Sequence, residues 1–307
     1  MNYTLRQLRV FRRVAEQGGF SRAGDDMGLT QPAVSRAVRE LEQTLDLRLL
    51  DRTTREVVLT EAGRRLLPKL CRALDELDEV LDATRKEGGQ AMGSVRVACS
   101  PTLSASLMPS IIAACRESYP QLKLHLQDQV QRLNVEAVRS GAADFGLVVE
   151  QGDCDDLEQA EVLVDDFWLV CRNDHRLATL AEAQWEQLDG EELALLDASS
   201  GSRPLIDRLL SRHRLNCQVI VELGHSHSVF KMVDAGMGLS VTPGLALPFP
   251  EGCHLTVVPL KPRASRRIVL LRRRNRTLSP AAEHLWRLVL AMKGRLQDIA
   301  RGIKGQA

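Results

Sequence analysis

A short glycine-rich stretch at residues 88–93, GGQAMG, separates two parts of the chain that have different hydrophobic periodicities. Before it, apolar residues recur at steps of three and four, which is the pattern of amphipathic helices. After it, short apolar runs alternate with helical patterns, which predicts an α/β domain with a largely parallel sheet. At 307 residues the chain is also too long for one ordinary domain. The sequence therefore predicts a helix-rich N-terminal domain, followed by a larger α/β domain.

The first 45 residues predict three consecutive helices. The first has one apolar face and ends at Gly18-Gly19. A second, short helix is capped by Ser21. Thr30 is a suitable N-cap for a third helix that runs to about Leu45, because Pro32 falls in its first turn, where a missing N–H has no cost. A short helix, a turn and a second helix are the elements of a helix-turn-helix.

The start of the third helix carries side chains suited to DNA. In a helix-turn-helix that binds DNA, this part of the second helix meets base edges in the major groove. Glutamine pairs with adenine, arginine with guanine or phosphate, and alanine contacts a thymine methyl. A hairpin predicted over residues 50–59 adds arginines suited to phosphate or to the minor groove. An ordinary helical hairpin with a solvated face is the alternative. The predicted DNA-binding residues are Gln31, Pro32, Ala33, Ser35, Arg36, Arg39, Arg52, Thr54 and Arg55.

A long helix is predicted from its N-cap, Thr60, to about residue 87. Its leucines recur at alternating steps of three and four, which is the heptad pattern of a coiled coil. At about 1.5 Å per residue the helix spans roughly 40 Å, and we expect it to need a partner helix to cover its apolar stripe. We therefore predict a homodimer along Leu67, Leu70, Leu74, Leu77 and Leu81.

Four segments of the N-terminal part form a recognisable set: residues 19–23 (GFSRA), 29–42 (LTQPAVSRAVRELE), 52–55 (RTTR) and 59–63 (LTEAG). Together they resemble the winged helix-turn-helix, the wing and the start of the linker helix of the LysR-type transcriptional regulators. The resemblance is specific over residues 3–64 and diffuse over the rest of the chain. Gly24-Asp25-Asp26 stands where the family has an alanine-rich run and Leu50 where an aromatic is common, so we expect a softer second helix and wing.

The resemblance implies an organisation for the whole chain. It implies a winged helix-turn-helix over residues 1–60, a dimerisation helix and hinge over 61–93, and a periplasmic-binding-protein-like effector domain over 94–303. The two lobes of that domain comprise residues 94–165 with 266–303, and residues 166–265. It also implies a regulator that binds double-stranded DNA as a homodimer or homotetramer, responds to a small-molecule effector bound between the lobes, and contacts RNA polymerase.

Two polar segments open predicted helices in the C-terminal part. At Ser100-Pro101-Thr102 and at Ser200-Gly201-Ser202-Arg203, backbone N–H groups would face an anion; a plain helix cap and a solvated arginine are the alternatives. In similar proteins the first segment lines the cleft. Because Arg203 can form a charge-assisted pair, we expect a small carboxylate as effector, with a neutral or aromatic ligand as the alternative. With the family layout, the predicted effector-binding residues are Ser100, Thr102, Asp128, Ser200, Ser202, Arg203, His227, Ser228 and Thr242.

The remaining patterns bear on other classes of protein. The sequence has no run of about 18 apolar residues, so we predict no membrane span. The pairs His225-x-His227 and Cys253-His254 lack the spacing of a four-ligand metal site, and no Ser/His/Asp arrangement is evident, so we expect no metal, no cofactor and no enzyme. Seven cysteines without a CxxC pair indicate reduced thiols in a cytoplasmic protein. With DNA as its partner, we expect the protein to be nucleoid-associated. An enzyme on the two-lobed fold and an adaptor built on the long helix are the rival functions. The lack of a convergent catalytic set and the N-terminal winged helix argue against the enzyme, and the segment from Gln31 to Arg36 argues against the adaptor.

Overall fold

The computed structural model describes residues 3–52, 57–85, 93–152 and 154–302. The chain divides near Ala91 into two compact units. None of the helices within the described ranges combines the length and the apolar character that crossing a bilayer requires.

The N-terminal unit is helical apart from one small hairpin. Its elements are α1 (Leu5–Gln17), α2 (Phe20–Met27), α3 (Gln31–Leu45), β1 (Leu50–Arg52), β2 (Val57–Leu59) and α4 (Glu61–Arg85). Thr30 is the N-cap of α3, as predicted. The predicted cap of α2 is wrong: Gly19 precedes the helix and Ser21 lies inside its first turn. The helix starts earlier because Phe20 packs against the core of the unit.

The acidic run that departs from the family pattern takes part in the packing of α2. Asp26 pairs with Arg13 of α1 at 2.6 Å between Oδ2 and Nε. Gly24 is buried, and a Cβ at that position would lie 2.6 Å from the carbonyl oxygen of Leu29, so the turn after α2 approaches the helix closely. Helix α2 forms over all eight residues, and the softening expected from this run stays a prediction.

Helix α4 begins inside the N-terminal unit. Leu70 and Leu74 are 7% and 2% exposed and belong to the core of this unit. Two ion pairs join α4 to α1: Arg12 Nη1 lies 2.6 Å from Asp75 Oδ1, and Arg9 pairs with Asp78. The prediction that the whole leucine stripe awaits a partner helix is thus wrong for Leu70 and Leu74, because they are packed into the core of their own unit, where α4 lies against α1. Leu67 is partly buried against the same core, Leu77 is half-buried, and the side chain of Leu81 lies outside the described ones.

The C-terminal unit alternates strands and helices. Its strands are β3 (Ser94–Cys99), β4 (Lys123–Asp128), β5 (Phe145–Val149), β6 (Leu157–Arg172), β7 (Ala183–Gln184), β8 (Glu192–Leu196), β9 (Gln218–Leu223), β10 (Ser240–Pro243), β11 (Leu255–Lys261) and β12 (Ser265–Arg273). Its helices are α5 (Pro101–Ser106), α6 (Met108–Ser118), α7 (Gln131–Ser140), α8 (Arg203–Arg212), α9 (Ser226–Asp234), α10 (Pro280–Ala291) and α11 (Lys293–Gly302). The single helix predicted after Ser100 is interrupted at Leu107, because Pro109 has no N–H to continue the hydrogen-bond ladder.

The main sheet is mixed and runs through both lobes. Its order is β4-β3-β5-β12-β6-β11-β7, with β10 also paired to β6. Strands β3, β4 and β5 are parallel, but β12 is antiparallel to both of its neighbours. Strand β6 is continuous over 16 residues: up to Asp166 it pairs with β12, and from Phe167 with β10 and β11. The expectation of a largely parallel sheet is therefore wrong for the middle of this sheet. There β6 leads from the first lobe to the second, and β12 returns antiparallel to it.

Each lobe has its own apolar core. In the first lobe, β3 and β5 are covered by α6 and α10, and Trp286 packs edge-on against Phe145 with ring centroids 5.6 Å apart. In the second, Trp185 and α8 cover one side of the sheet, while α9 covers the other side with Val229 and Phe230. The predicted fold class, a helix-turn-helix joined to a two-lobed α/β domain, is confirmed.

Candidate functional site

The exposed face of α3 carries the predicted DNA-binding residues of that helix. Val34, Val38 and Leu41 are buried and anchor one side of α3 to the core. The predicted residues of α3 are exposed, except Ser35, which is half-buried; they are Gln31, Pro32, Ala33, Ser35, Arg36 and Arg39. Arg52 closes β1, but its side chain, and all of Thr54 and Arg55, lie outside the described residues.

A chain of hydrogen bonds runs from the start of α1 to the middle of this face. Arg36 donates from Nε to Oε1 of Glu40 at 2.8 Å, and Gln7 donates from Nε2 to Oε2 of the same carboxylate at 2.9 Å. Gln7 is held in turn by the backbone N–H of Thr4, which donates to Gln7 Oε1 at 2.8 Å. The hydrogen bonds from Arg36 and Gln7 hold the pKa of Glu40 below its ordinary value. Sequence reasoning missed Glu40, although its (i, i+4) spacing from Arg36 was the available signal.

Two helix N-termini meet where the lobes of the C-terminal unit face each other. Thr102, in the first turn of α5, has its Oγ1 3.4 Å from the Oγ of Ser226, the first residue of α9. Ser100 is the N-cap of α5 and is half-buried. Both helices follow the carboxyl ends of parallel strands, where ligands bind in open α/β sheets. Sequence reasoning singled out Ser100 and Thr102 but missed Ser226.

Arg203 does not lie free at the start of α8. It is 9% exposed and donates from Nε to Asp207 at 2.8 Å and from Nη2 to Glu222 at 2.6 Å. Its Nη1 donates to the carbonyl oxygen of Leu196 at 2.8 Å. The prediction that this guanidinium receives a ligand carboxylate is wrong for the structure as it stands, because two carboxylates of the chain already occupy it.

Ser202 is also used within the chain. It is fully buried, and its Oγ accepts a hydrogen bond from Arg266 Nη1 at 2.7 Å. Arg266 also donates from Nε to Asp165 Oδ2 at 2.9 Å, while the N–H of Leu245 donates to Asp165 Oδ1 at 3.1 Å. Burial raises the pKa of Asp165, against the opposing effect of Arg266. Asp165 and Arg266 are register partners on β6 and β12, so the network joins both crossover strands to the loop before α8.

The other predicted effector residues differ in exposure and in their partners. Asp128, at the end of β4, and His227, in α9, are exposed, and Ser228 is half-buried. Ser200 accepts from the N–H of Ser202 at 3.2 Å. Thr242 is 3% exposed and lies beside β6 in the sheet. Of the predicted set, Thr102 has its hydroxyl against the opposite lobe, and Ser100 is the N-cap of the same helix.

Metal ligands and thiols are the other candidate groups of the described ranges. There, no three His, Cys, Asp or Glu side chains are grouped as a metal site would require. Cys217 donates its thiol to the carbonyl oxygen of Leu188 at 3.1 Å, and burial raises the pKa of this thiol. A raised pKa reduces the thiolate fraction that oxidants attack.

A helix-turn-helix whose second helix has an exposed polar face, joined to a two-lobed α/β unit with polar helix ends between its lobes, defines a class: transcription regulators with a DNA-binding domain and an effector-binding domain. The profile described as "Bacterial regulatory helix-turn-helix protein, lysR family" matches residues 5–64, and "LysR substrate binding domain" matches residues 88–293. The chain belongs to the LysR family of transcriptional regulators.

Known proteins resemble the chain over nearly its whole length. The uncharacterized HTH-type transcriptional regulator YfeR of Shigella flexneri is 47% identical and YbhD of Escherichia coli 32% identical, each over 94% of this chain and over 94% and 92% of those proteins. Among solved structures, an OxyR C206 mutant of Corynebacterium glutamicum is 26% identical with a TM-score of 0.65, over 98% of this chain and 96% of that one. Full-length CbnR complexed with its target DNA matches in fold, with a TM-score of 0.72 at 20% identity, over 95% and 99%.

Proposed function

We propose that this regulator reads its DNA site with the exposed face of α3, and that a small molecule held between Thr102 and Ser226 controls the reading. The observation that carries the proposal is the exposure of Gln31 and Arg36, with Ser35 half-buried between them, at the start of a helix that Val34 and Val38 anchor to the core. Arg52, Thr54 and Arg55 of the hairpin complete the proposed contact by binding phosphate or the minor groove.

Substitutions in α3 should reduce specificity more than they reduce general affinity. Gln31→Ala and Ser35→Ala should each weaken binding to the cognate site by about 1–3 kcal/mol and change binding to random DNA little, because base contacts carry the sequence information. Arg52→Ala should weaken binding to every sequence and flatten its salt dependence. Gel-shift titrations on cognate and scrambled duplexes measure both quantities.

A second glutamine of α3 supplies the control. Gln43 is exposed in the last part of the helix, and Gln43→Ala should bind both duplexes like the wild type. Equal losses on the two duplexes for Gln31→Ala would show that α3 is not the reading element.

The part of α4 beyond Leu74 is the proposed dimer contact. Leu74 is already buried within its own chain, whereas Leu77 is half-buried and lies one step further along the stripe. We propose that Leu77 and Leu81 pack against a second copy, with Leu67 at the edge of the contact. A dimer suits DNA binding, because two half-sites are then read together.

Leu77→Glu should give a folded monomer that has lost cognate DNA affinity, because the dimer would bury an unpaired charge. Leu74→Ala should instead lower the free energy of unfolding of the N-terminal unit by about 2–5 kcal/mol. Sedimentation separates the two effects. Ala73→Glu is the control, since Ala73 is exposed and the variant should remain dimeric. A dimeric Leu77→Glu protein would place the contact elsewhere.

The proposed effector is a small molecule with a hydrogen-bond acceptor, and a carboxylate is the class that the site favours. The support comes from the hydroxyls of Ser100, Thr102 and Ser226 and from the two helix N-termini that meet there, since backbone N–H groups at such ends favour negative charge. Asp128, His227 and Ser228 would border the ligand. Arg203 is assigned to the structure of the second lobe.

Ligand binding should depend on the hydroxyls and not on Arg203. In a thermal-shift screen of small carboxylates and their amides, Thr102→Val and Ser226→Ala should lose the stabilisation that a ligand gives to the wild type. Arg203→Ala should melt at a lower temperature and keep the ligand-induced shift. Thr179→Val changes an exposed threonine in the same way and should match the wild type. If the ligand-induced shift disappeared in Arg203→Ala alone, Arg203 would be a ligand-binding residue, and the hydroxyls would not be.

The proposed location, assembly and further partners of the protein follow from DNA as its partner. We propose a cytoplasmic, nucleoid-associated protein that forms homotetramers from its dimers, contacts RNA polymerase and has no catalytic activity of its own. The support is membership in a family of DNA-binding regulators. Recovery of the bound effector unchanged by mass spectrometry, after prolonged incubation with the protein, tests the last point.

A further inference from the structure

Arg36 and Glu40 form a pair at the centre of the exposed face of α3. The side chain of Arg36 is 79% exposed and that of Glu40 43%. Residues four apart lie on the same face of a helix, and this face is turned away from the buried Val34 and Val38. A carboxylate at this place is unexpected on a DNA-binding face, because it repels phosphate.

The carboxylate of Glu40 is held from both sides. One oxygen accepts from Arg36 and the other from Gln7, whose own oxygen is fixed by the N–H of Thr4 at the N-terminus of α1. The guanidinium is therefore held at Nε. Within the described ranges, Nη1 and Nη2 of Arg36 make no hydrogen bond, so the edge that carries these two nitrogens remains available.

This arrangement suits a base better than a phosphate. Phosphate contact depends mainly on charge, which the neighbouring carboxylate reduces. Reading a guanine requires a planar edge with two donors aimed at O6 and N7. A guanidinium already held in one orientation loses less side-chain entropy when it forms such a bidentate contact.

We propose that Glu40 is a positioning residue for Arg36 and that Arg36 reads a guanine in the major groove. The proposal rests on the function proposed for α3. Its consequence is that affinity and specificity move in opposite directions when Glu40 is removed. Arg36 then becomes free to bind phosphate, so binding to any DNA strengthens while the preference for guanine declines.

Selection from a random-sequence duplex library with the full-length protein, followed by salt titrations on the selected site, tests the proposal. The wild type should select a guanine that Arg36→Ala no longer selects. Glu40→Ala should reduce the preference for this guanine about fivefold or more. It should also bind scrambled DNA more tightly, with a slope of log Kobs against log salt that is steeper by about one. A purely structural role for Glu40 would weaken binding and specificity together.

Glu16→Ala is the matched control. Glu16 also pairs with arginines, Arg12 and Arg13, on α1, so its removal makes the same change in charge within the same unit. Three results would overturn the proposal: full guanine preference in Glu40→Ala, the same loss of preference in Glu16→Ala, or an Arg36→Ala protein that keeps every base preference and loses one unit of salt slope. A wild type that selects no sequence would instead overturn the proposed function itself.

Discussion

Arg266→Met should lower the free energy of unfolding of the C-terminal unit by about 3–5 kcal/mol, because it leaves the buried carboxylate of Asp165 without its cation. Asp165 and Arg266 are 1% and 3% exposed, so water cannot replace the lost partner. Urea unfolding followed by tryptophan fluorescence measures the change in this unit alone, since all three tryptophans, Trp168, Trp185 and Trp286, lie in it.

The size of this loss should depend on pH. Without Arg266, the pKa of Asp165 rises further above its unfolded value of about 3.9. A carboxyl with a raised folded pKa destabilises the fold as pH increases from the unfolded pKa to the folded one. The difference from the wild type should therefore be smallest near pH 4 and grow above it. Arg267→Met is the control: Arg267 lies next on β12, pairs with Glu150 at the surface, and should matter by less than about 1 kcal/mol. Equal losses for both variants would contradict the buried role of Arg266.

Gly238→Ala should prevent correct folding of the second lobe, with a loss of more than about 4 kcal/mol. Gly238 has a φ of +74°, which an L side chain rarely adopts, and a Cβ there would lie 2.2 Å from the carbonyl oxygen of Glu192. That oxygen accepts the N–H of Leu239 at 2.8 Å, so it cannot move away without breaking the connection between β8 and the approach to β10.

Gly252→Ala separates backbone strain from the steric clash. Gly252 has a similar φ of +78° but no atom within 4 Å of the position of a Cβ. This variant should lose only about 1–2 kcal/mol, the cost of the left-handed conformation. If the two variants unfold at the same urea concentration, a small backbone shift relieves the clash with Glu192, and close packing is not what requires glycine at position 238.

The sequence predicted the N-terminal unit better than the effector site, for a physical reason. Helix faces and caps depend on neighbours within four residues, so the bounds of α1 and α3 could be read directly. The role of Arg203 could not, because its partner Glu222 is 19 residues away on β9. Ser202 and Arg266, which are 64 residues apart, meet only after both lobes have folded. Likewise, the leucine spacing in α4 predicted an apolar stripe but not that α1 covers its first half.

The continuity of β6 makes the second lobe dependent on the first lobe for an intact sheet. One hydrogen-bonded strand, Leu157–Arg172, supplies sheet to both lobes, so no cut between them leaves two intact sheets. Excision of the second lobe would therefore cut β6, and we expect neither lobe to fold when it is expressed alone. For the effector site proposed above, a change in preference is therefore expected from substitutions at the loops and helix starts, with the shared strand kept.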